Sequence, residues 1–374
     1  MNLALWVRTG DKFGGLEKYL VLFSDLCAEN NLDLFILNEI ENTNPRYKDL
    51  LTQNGTKIFN IGESAKQPIK VLLRISKIIR QYKIQLFHLH FIHPVFVPFL
   101  KLMGVPLVYL TFHSGIDHDI SLRTKFFRRC SSVFITRFFA VSHRVRDDEI
   151  SAGVAPEKIS VSYLGLPIDI IKSSIQFTEE PPPPYFNDPQ VTKIITVGRF
   201  YPVKGMKYVV ESAIKVIKQK PDLIWWIVGK EGPDLVYCQK LVASEHLEEK
   251  IFFLGERDDV PALMQNSSIM VMGSLSEGLP LVALEAAISG VPTIGTQIRG
   301  LDEAIVNGST GILVERKSAQ ALADASLWLL EHPEQRTLMG LTAQQFVTNK
   351  FNSEKLISQL LEIYNKDYQA IVHK

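Results

Sequence analysis

The sequence predicts an α/β protein built from two doubly wound domains, each a parallel sheet covered by helices. Three observations predict it. Short apolar runs alternate with amphipathic segments along both halves, which is how strands buried on two faces read beside their covering helices. The length, 374 residues, suits two domains with a substantial core in each. A polar stretch between Lys172 and Gln190, with four prolines at 181–184, favours an extended connector between them.

In the first half the strand candidates are residues 3–7, 34–37, 86–90, 107–112 and 138–141. In the second they are 194–197, 224–228, 251–254, 269–272 and 292–295, and after Val314 the chain turns helical to its end. The apolar stretch 87–112 is long enough to suggest a membrane span. Pro94, Pro98, Lys101 and Pro106 interrupt it, so buried strands and a helix are the better reading. The apolar segment at the N-terminus is too short for a signal peptide and reads as a first strand. Cys27, Cys130 and Cys238 have no metal-ligand spacing and read as small hydrophobes in a reducing compartment. A net charge of +1 argues against a general nucleic-acid binder. The expected location is cytoplasmic.

Two clusters carry chemistry. In VTKIITVGRFYPVKGM, residues 191–197 form a short strand that Gly198 and Arg199 end, and Lys204 and Gly205 lead into a helix beginning near Met206. Two cations on one strand-to-helix connection can reach one multiply charged anion, Arg as a planar fork and Lys as a mobile point charge. An ordinary charged loop would carry the same residues. The second cluster is SLSEGLPLVALEAAISGVPTIGT. There Glu277 and Glu285 stand on either side of a helix start, Pro280 sits near the first turn, Gly290 stops the helix, and 291–296 reads as the next strand. Carboxylates that accept from hydroxyls, beside backbone amides and a helix dipole that face phosphate, suit a polyol-phosphate ligand. A sugar nucleotide has both kinds of group.

With these motifs the chain resembles the GT-B glycosyltransferases of the retaining family 4 type. GRFYPVKG is similar to that family's donor-phosphate motif and EGLPLVALE to its paired-glutamate signature; the likeness runs over the whole chain and is sharpest from Thr196 to Glu315. The resemblance implies two Rossmann-like domains facing across a cleft. An acceptor-binding domain would span residues 1–180 and a nucleotide-sugar domain 181–355, with a last helix at 356–374 crossing back onto the first. It implies transfer of a hexosyl-type sugar from a nucleoside-diphosphate sugar, such as a UDP-sugar, to a hydroxyl, with retention and without a metal cofactor. Cell-surface polysaccharide or glycolipid synthesis is the expected setting.

Residue by residue, the resemblance makes Arg199 and Lys204 the diphosphate pair that stabilises the leaving group. Glu285 becomes the ribose ligand and Glu277 a contact to hydroxyls of the donor sugar. Backbone amides of Gly278, Leu279 and Leu281 would approach the sugar and phosphates. Gly14 and Gly15, between the first strand and a helix, would let backbone come close to phosphate, although a plain turn also uses a glycine pair. His113, after a strand, corresponds to a histidine near the reacting sugar. Ser142 follows another strand and would lie near the site or cap a helix. Arg257 lies on a loop that frames the base, and Glu303 corresponds to a glutamate near the donor, with a solvated helix start as the plain alternative. His88 and His90 share one face of a strand; two histidines without a third ligand are more often core or cleft residues than a metal site. Asp117 and Asp119 mimic the metal-binding acidic motif of other glycosyltransferases and are read as a decoy. Two departures bear on donor identity: Leu279 stands where an aromatic residue is frequent, and YLGLPID, residues 163–169, replaces the commoner segment.

Two basic runs fall in the first half. Lys66, Lys70, Arg74, Lys77, Arg80 and Lys83 flank an apolar stripe, and Arg123, Lys125, Arg128 and Arg129 surround Phe126 and Phe127. Solvated helix faces explain such runs; a lipid-linked acceptor would make them contacts to an anionic membrane surface at the inner face of the plasma membrane. Beside the transferase stand two rivals: a GT-B sugar-nucleotide epimerase or hydrolase, and a non-catalytic partner subunit, which would be expected to have lost some of Arg199, Lys204, Glu277 and Glu285.

Overall fold

Each apolar run marked in the sequence becomes a parallel strand. The computed structural model of the chain describes residues 1–10, 15–41, 44–90, 96–116, 122–168 and 181–373. It divides into two compact units, residues 1–167 with 353–374, and residues 168–352.

The first unit runs β1 (Asn2–Val7), α1 (Gly15–Glu29), β2 (Asp33–Asn38), α2 (Pro45–Gln53), β3 (Lys57–Asn60), α3 (Pro68–Tyr82) and β4 (Leu86–His90). It continues with α4 (Val97–Leu102), β5 (Leu107–Phe112), α5 (Leu122–Ser131), β6 (Arg137–Ala140), α6 (His143–Ser151) and β7 (Ile159–Val161). The strands form one sheet in the order β3-β2-β1-β4-β5-β6-β7, all pairings parallel. The second unit runs β8 (Thr192–Val197), α7 (Met206–Gln219), β9 (Leu223–Val228), α8 (Leu235–Ser244), β10 (Ile251–Gly255), α9 (Val260–Gln265) and β11 (Ile269–Val271). Then come α10 (Leu281–Ile288), β12 (Thr293–Thr296), α11 (Leu301–Ala304), β13 (Gly311–Val314), α12 (Ala319–Glu331) and α13 (Pro333–Lys350). Its sheet has the order β10-β9-β8-β11-β12-β13, again parallel.

The order reverses direction at β1 in the first sheet and at β8 in the second. In open parallel sheets a crevice forms beyond the carboxyl ends of the strands at such a switch point. In the second unit it lies past Val197 and Val271, where the two sequence clusters begin.

The last helix, α14 (Ser353–Val372), belongs to the first unit. Ile357, Leu360, Leu361 and Tyr364 join the core under β1 and β5, beside α1. Full burial of one such large apolar side chain contributes roughly 1.5–3 kcal/mol as an upper figure. Polar anchors fix the register of the helix. Tyr109 Oη donates to Asp367 at 2.8 Å, Arg137 donates to both oxygens of Asp367 at 2.6 and 2.9 Å, and Gln85 donates to Tyr368 Oη at 2.7 Å.

The proline run is not a free connector. The units divide at 167/168, ahead of it, and the prolines are fastened to the second unit. Arg257 donates to the Pro181 carbonyl at 3.0 Å, Trp226 Nε1 to the Pro184 carbonyl at 3.1 Å, and Phe186 stacks on Trp226. No helix among the described residues is long and apolar enough to cross a membrane.

Candidate active site

The site of the second unit grows from a contact between two loops. The first leaves β8 through Gly198 and Arg199, makes a short 3-10 turn at Pro202–Lys204, and enters α7 at Gly205. The second leaves β11 and carries Ser274 to Pro280 into α10. Leu275 N donates to the Val203 carbonyl at 2.8 Å, stitching the two together. Gly205 sits at φ +60°, and a Cβ there would fall 2.0 Å from the Gly273 carbonyl oxygen. Only glycine permits both that conformation and that approach.

The stitching brings Lys204 to Glu277. Lys204 Nζ donates to Glu277 Oε1 at 2.6 Å, and Ser274 Oγ donates to the same oxygen at 2.7 Å. Glu277 is buried, so a carboxylate without such partners would be costly there. Thr296 Oγ1 in turn donates to the Ser274 carbonyl, tying the loop to β12. A third loop closes in at Gly300, φ +94°, whose Cβ would stand 2.4 Å from the Glu277 carbonyl oxygen. Glu277 is thus held by three strand-end loops.

Arg199 is exposed on the same connection, its guanidinium over the Tyr201 ring at 5.5 Å. Glu285 lies half-buried on α10, and Gly278 and Leu279 are half-buried on the turn before it; Leu281 opens the helix. A lysine ammonium has three donors, so the bond to Glu277 is compatible with further bonds to phosphate oxygens. The arrangement can therefore offer cations to phosphate and carboxylates to hydroxyls from one switch point.

The other residues singled out in the sequence lie on further loops and helices. Arg257 donates from both Nε and Nη2 to Asp259, each at 2.7 Å, and from Nη2 to the Pro181 carbonyl at 3.0 Å. Glu303 lies half-buried on α11, where its carbonyl accepts from Lys350 at 3.2 Å. In the first unit Ser142 is fully buried and caps α6, accepting from Val145 N at 3.2 Å. Gly15 is the first residue of α1, while Gly14, Asp117 and Asp119 lie outside the described residues.

His113 follows β5, and its Nε2 lies 3.1 Å from His90 Nδ1. His88 bonds Thr111 Oγ1 at 2.7 Å through Nε2 and the Tyr364 hydroxyl through Nδ1. Burial lowers the pKa of all three histidines, that of His90 to about 4, so all are neutral near pH 7. Sequence reasoning missed Ser274, for which the only signal was a hydroxyl three residues before Glu277. It also missed the partnership of His90 with His113, which no spacing along the chain encodes.

The family model described as Glycosyltransferase Family 4 matches residues 13–170, and that described as Glycosyl transferases group 1 matches residues 178–346. The two meet end to end over most of the chain. This protein belongs to the GT-B glycosyltransferases of the family 4 type. Among relatives of this family 4 member, N-acetyl-alpha-D-glucosaminyl L-malate synthase of Bacillus anthracis is 36% identical over 171 residues, 46% of this chain and 44% of that one. A D-inositol 3-phosphate glycosyltransferase of Corynebacterium glutamicum is 30% identical over 56% of this chain and 52% of its own. The chain thus spans about half the length of these curated relatives. UDP-Gal:alpha-D-GlcNAc-diphosphoundecaprenol alpha-1,3-galactosyltransferase of Escherichia coli is 26% identical over 79% of each chain. Among solved structures, a glycosyltransferase from Rickettsia africae superposes with a TM-score of 0.81 at 21% identity, covering 98% of each chain. An Anabaena protein solved with UDP and glucose superposes at 0.79 with 18% identity, covering 98% of this chain and all of its own. Those two likenesses bear on the fold.

Proposed function

We propose that the protein transfers a hexosyl-type unit from a nucleoside-diphosphate sugar to a hydroxyl acceptor, with retention of configuration. The observation that carries the reading is the meeting of Lys204, Ser274 and Glu277 beyond the ends of β8 and β11, with Arg199 on the same connection and Glu285 on the following helix. In this reading Arg199 and Lys204 neutralise the diphosphate as the glycosidic bond breaks, which places positive charge where negative charge develops. Glu285 accepts from the ribose hydroxyls. Glu277, fixed by Lys204 and Ser274, accepts from hydroxyls of the donor sugar and orients the ring. The two cations supply the charge that a metal would otherwise bring, so no metal cofactor is assigned.

A UDP-sugar is the first donor to test, because the E. coli relative is named for UDP-Gal and the Anabaena structure holds UDP. Thermal-shift screening of UDP-, GDP- and ADP-sugars should raise the melting temperature by several degrees for one nucleotide class. Radiolabel from that sugar should then appear on an added saccharide or lipid-linked acceptor. Binding with hydrolysis or epimerisation and never transfer would replace the transferase reading by its rival.

The acceptor side includes a membrane surface. On α3, Ile69 and Leu73 are 73% and 59% exposed, beside the exposed Lys70 and Lys77. An apolar pair ringed by cations fits the interface of an anionic leaflet, at about 1 kcal/mol per cation near the surface. The run around Phe126 contributes less, since Arg128 is spent on the buried Glu149. Sedimentation with liposomes should grow with their anionic lipid content; indifference to it removes the membrane from the proposal.

A further inference from the structure

His88 and His90 point to the same face of β4, and their neighbours across the sheet are Tyr109 and Thr111 of β5. His113 continues that row one step past the end of β5. The rings form a column: His88 and His90 have centroids 4.2 Å apart, His90 and His113 5.2 Å apart. Its inner end is anchored, because both nitrogens of His88 are bonded, one to Thr111 and one to Tyr364 of α14. At its outer end His113 is only partly covered, while His90 is buried.

Two ring nitrogens at 3.1 Å can bond only if one carries a proton and the other a lone pair. Both rings are neutral, so one proton occupies the line between them, and the tautomers of His90 and His113 are set together. The backbone after His113 is pinned as well. Ile116 N donates to Asp148 Oδ2 of α6 at 3.0 Å, and a Cβ on Gly115 would meet that oxygen at 2.6 Å. The backbone just after His113 is thus tied to α6.

We propose that His90 is a positioning residue for the transfer reaction: its Nδ1 fixes the tautomer and ring plane of His113, the histidine that the family resemblance assigns to the reacting sugar. The inference rests on the function proposed above and deepens it. If the column served packing alone, an apolar residue at position 90 would do as well, since a buried imidazole must find partners for its polar atoms.

The test compares the full-length wild type with His90→Phe, His90→Asn, His113→Ala and the double variant His90→Phe/His113→Ala. Asn keeps a polar atom near the position of Nδ1; Phe keeps the ring and removes it. His90→Phe should lower kcat about 10- to 100-fold and leave nucleotide affinity within about twofold. His90→Asn should recover most of the loss, and His90→Phe should cost nothing further when His113 is already Ala. Melting temperatures confirm that each variant is folded. Nitrogen-15 spectra of the ring supply a readout independent of turnover: one tautomer for His113 in the wild type, a mixture in His90→Phe. A wild-type kcat in His90→Phe, additive losses in the double variant, or an unchanged His113 tautomer would each overturn the proposal. If the wild type transfers sugar from no donor, the functional reading fails, and the ring spectra still decide whether His90 sets His113.

Discussion

Half-buried Lys204 and buried Glu277 are a pair whose value lies in what each does for the other. The carboxylate is covered and accepts from an ammonium and a hydroxyl at one oxygen. Removing the ammonium leaves a buried charge without its main partner, which typically costs on the order of 2–4 kcal/mol. In the proposed mechanism the same ammonium also meets the diphosphate, so Lys204→Ala should slow turnover roughly thirty- to a thousandfold. Ser274→Ala removes one neutral donor and keeps the ion pair, so it should cost about tenfold or less. Steady-state rates with the identified donor check both. Equal losses in the two variants would mean that the lysine acts only through the loop.

At the scale of elements, α14 is a segment from the far end of the chain that completes the first unit's core. Asp367 is its main polar anchor: the bond from Arg137 keeps its carboxyl below the ordinary range, so it stays ionised near neutrality. Arg137 is partly exposed, which weakens the pair through solvent screening, so Asp367→Ala should destabilise the first unit by about 1–2 kcal/mol. Chemical denaturation measures it, and a change below a few tenths would show that apolar packing alone holds the helix. Which strands could be read from the sequence follows from burial. β3, β7 and β13 escaped the reading, and all three are sheet edges. Their residues are mostly half-exposed and their apolar runs are short, as in KIFN and GILV, so the signal of a buried strand is weak in them. The inner strands β4, β9 and β11 are buried on both faces and announce themselves.

For the whole molecule, the histidine column couples stability to pH. A histidine whose folded pKa is depressed is neutral in the fold but takes a proton in the unfolded chain below its ordinary value near ~6.5. The unfolded state then binds more protons, so stability falls as the pH drops from there through the folded value, which for His90 is about 4. Each such group costs up to about 1.4 kcal/mol per pH unit within that window. Glu149 works in the opposite sense, since burial raises its carboxyl to about 7 and the fold gains from its protonation as the pH falls. With three histidines against one glutamate, calorimetry should show a lower melting temperature at pH 5 than at pH 7. The difference should shrink in His90→Phe, and a flat profile in the wild type would refute the assignment of neutral rings.

By itself the sequence determined the fold class, the inner strands of both sheets, the family, and the two segments that supply Arg199, Lys204, Glu277 and Glu285. These are legible because burial on both faces and the chemistry of a strand-to-helix turn are written in contiguous residues. Only the tertiary structure decided that Lys204 meets Glu277 across 73 positions, that Ser274 shares the carboxylate, and that His90 lies against His113. The Lys204–Glu277 and His90–His113 contacts arise where separate strands end side by side. The order of strands in a parallel sheet is set by the competition among all of them for two covered faces, and no local spacing records its outcome.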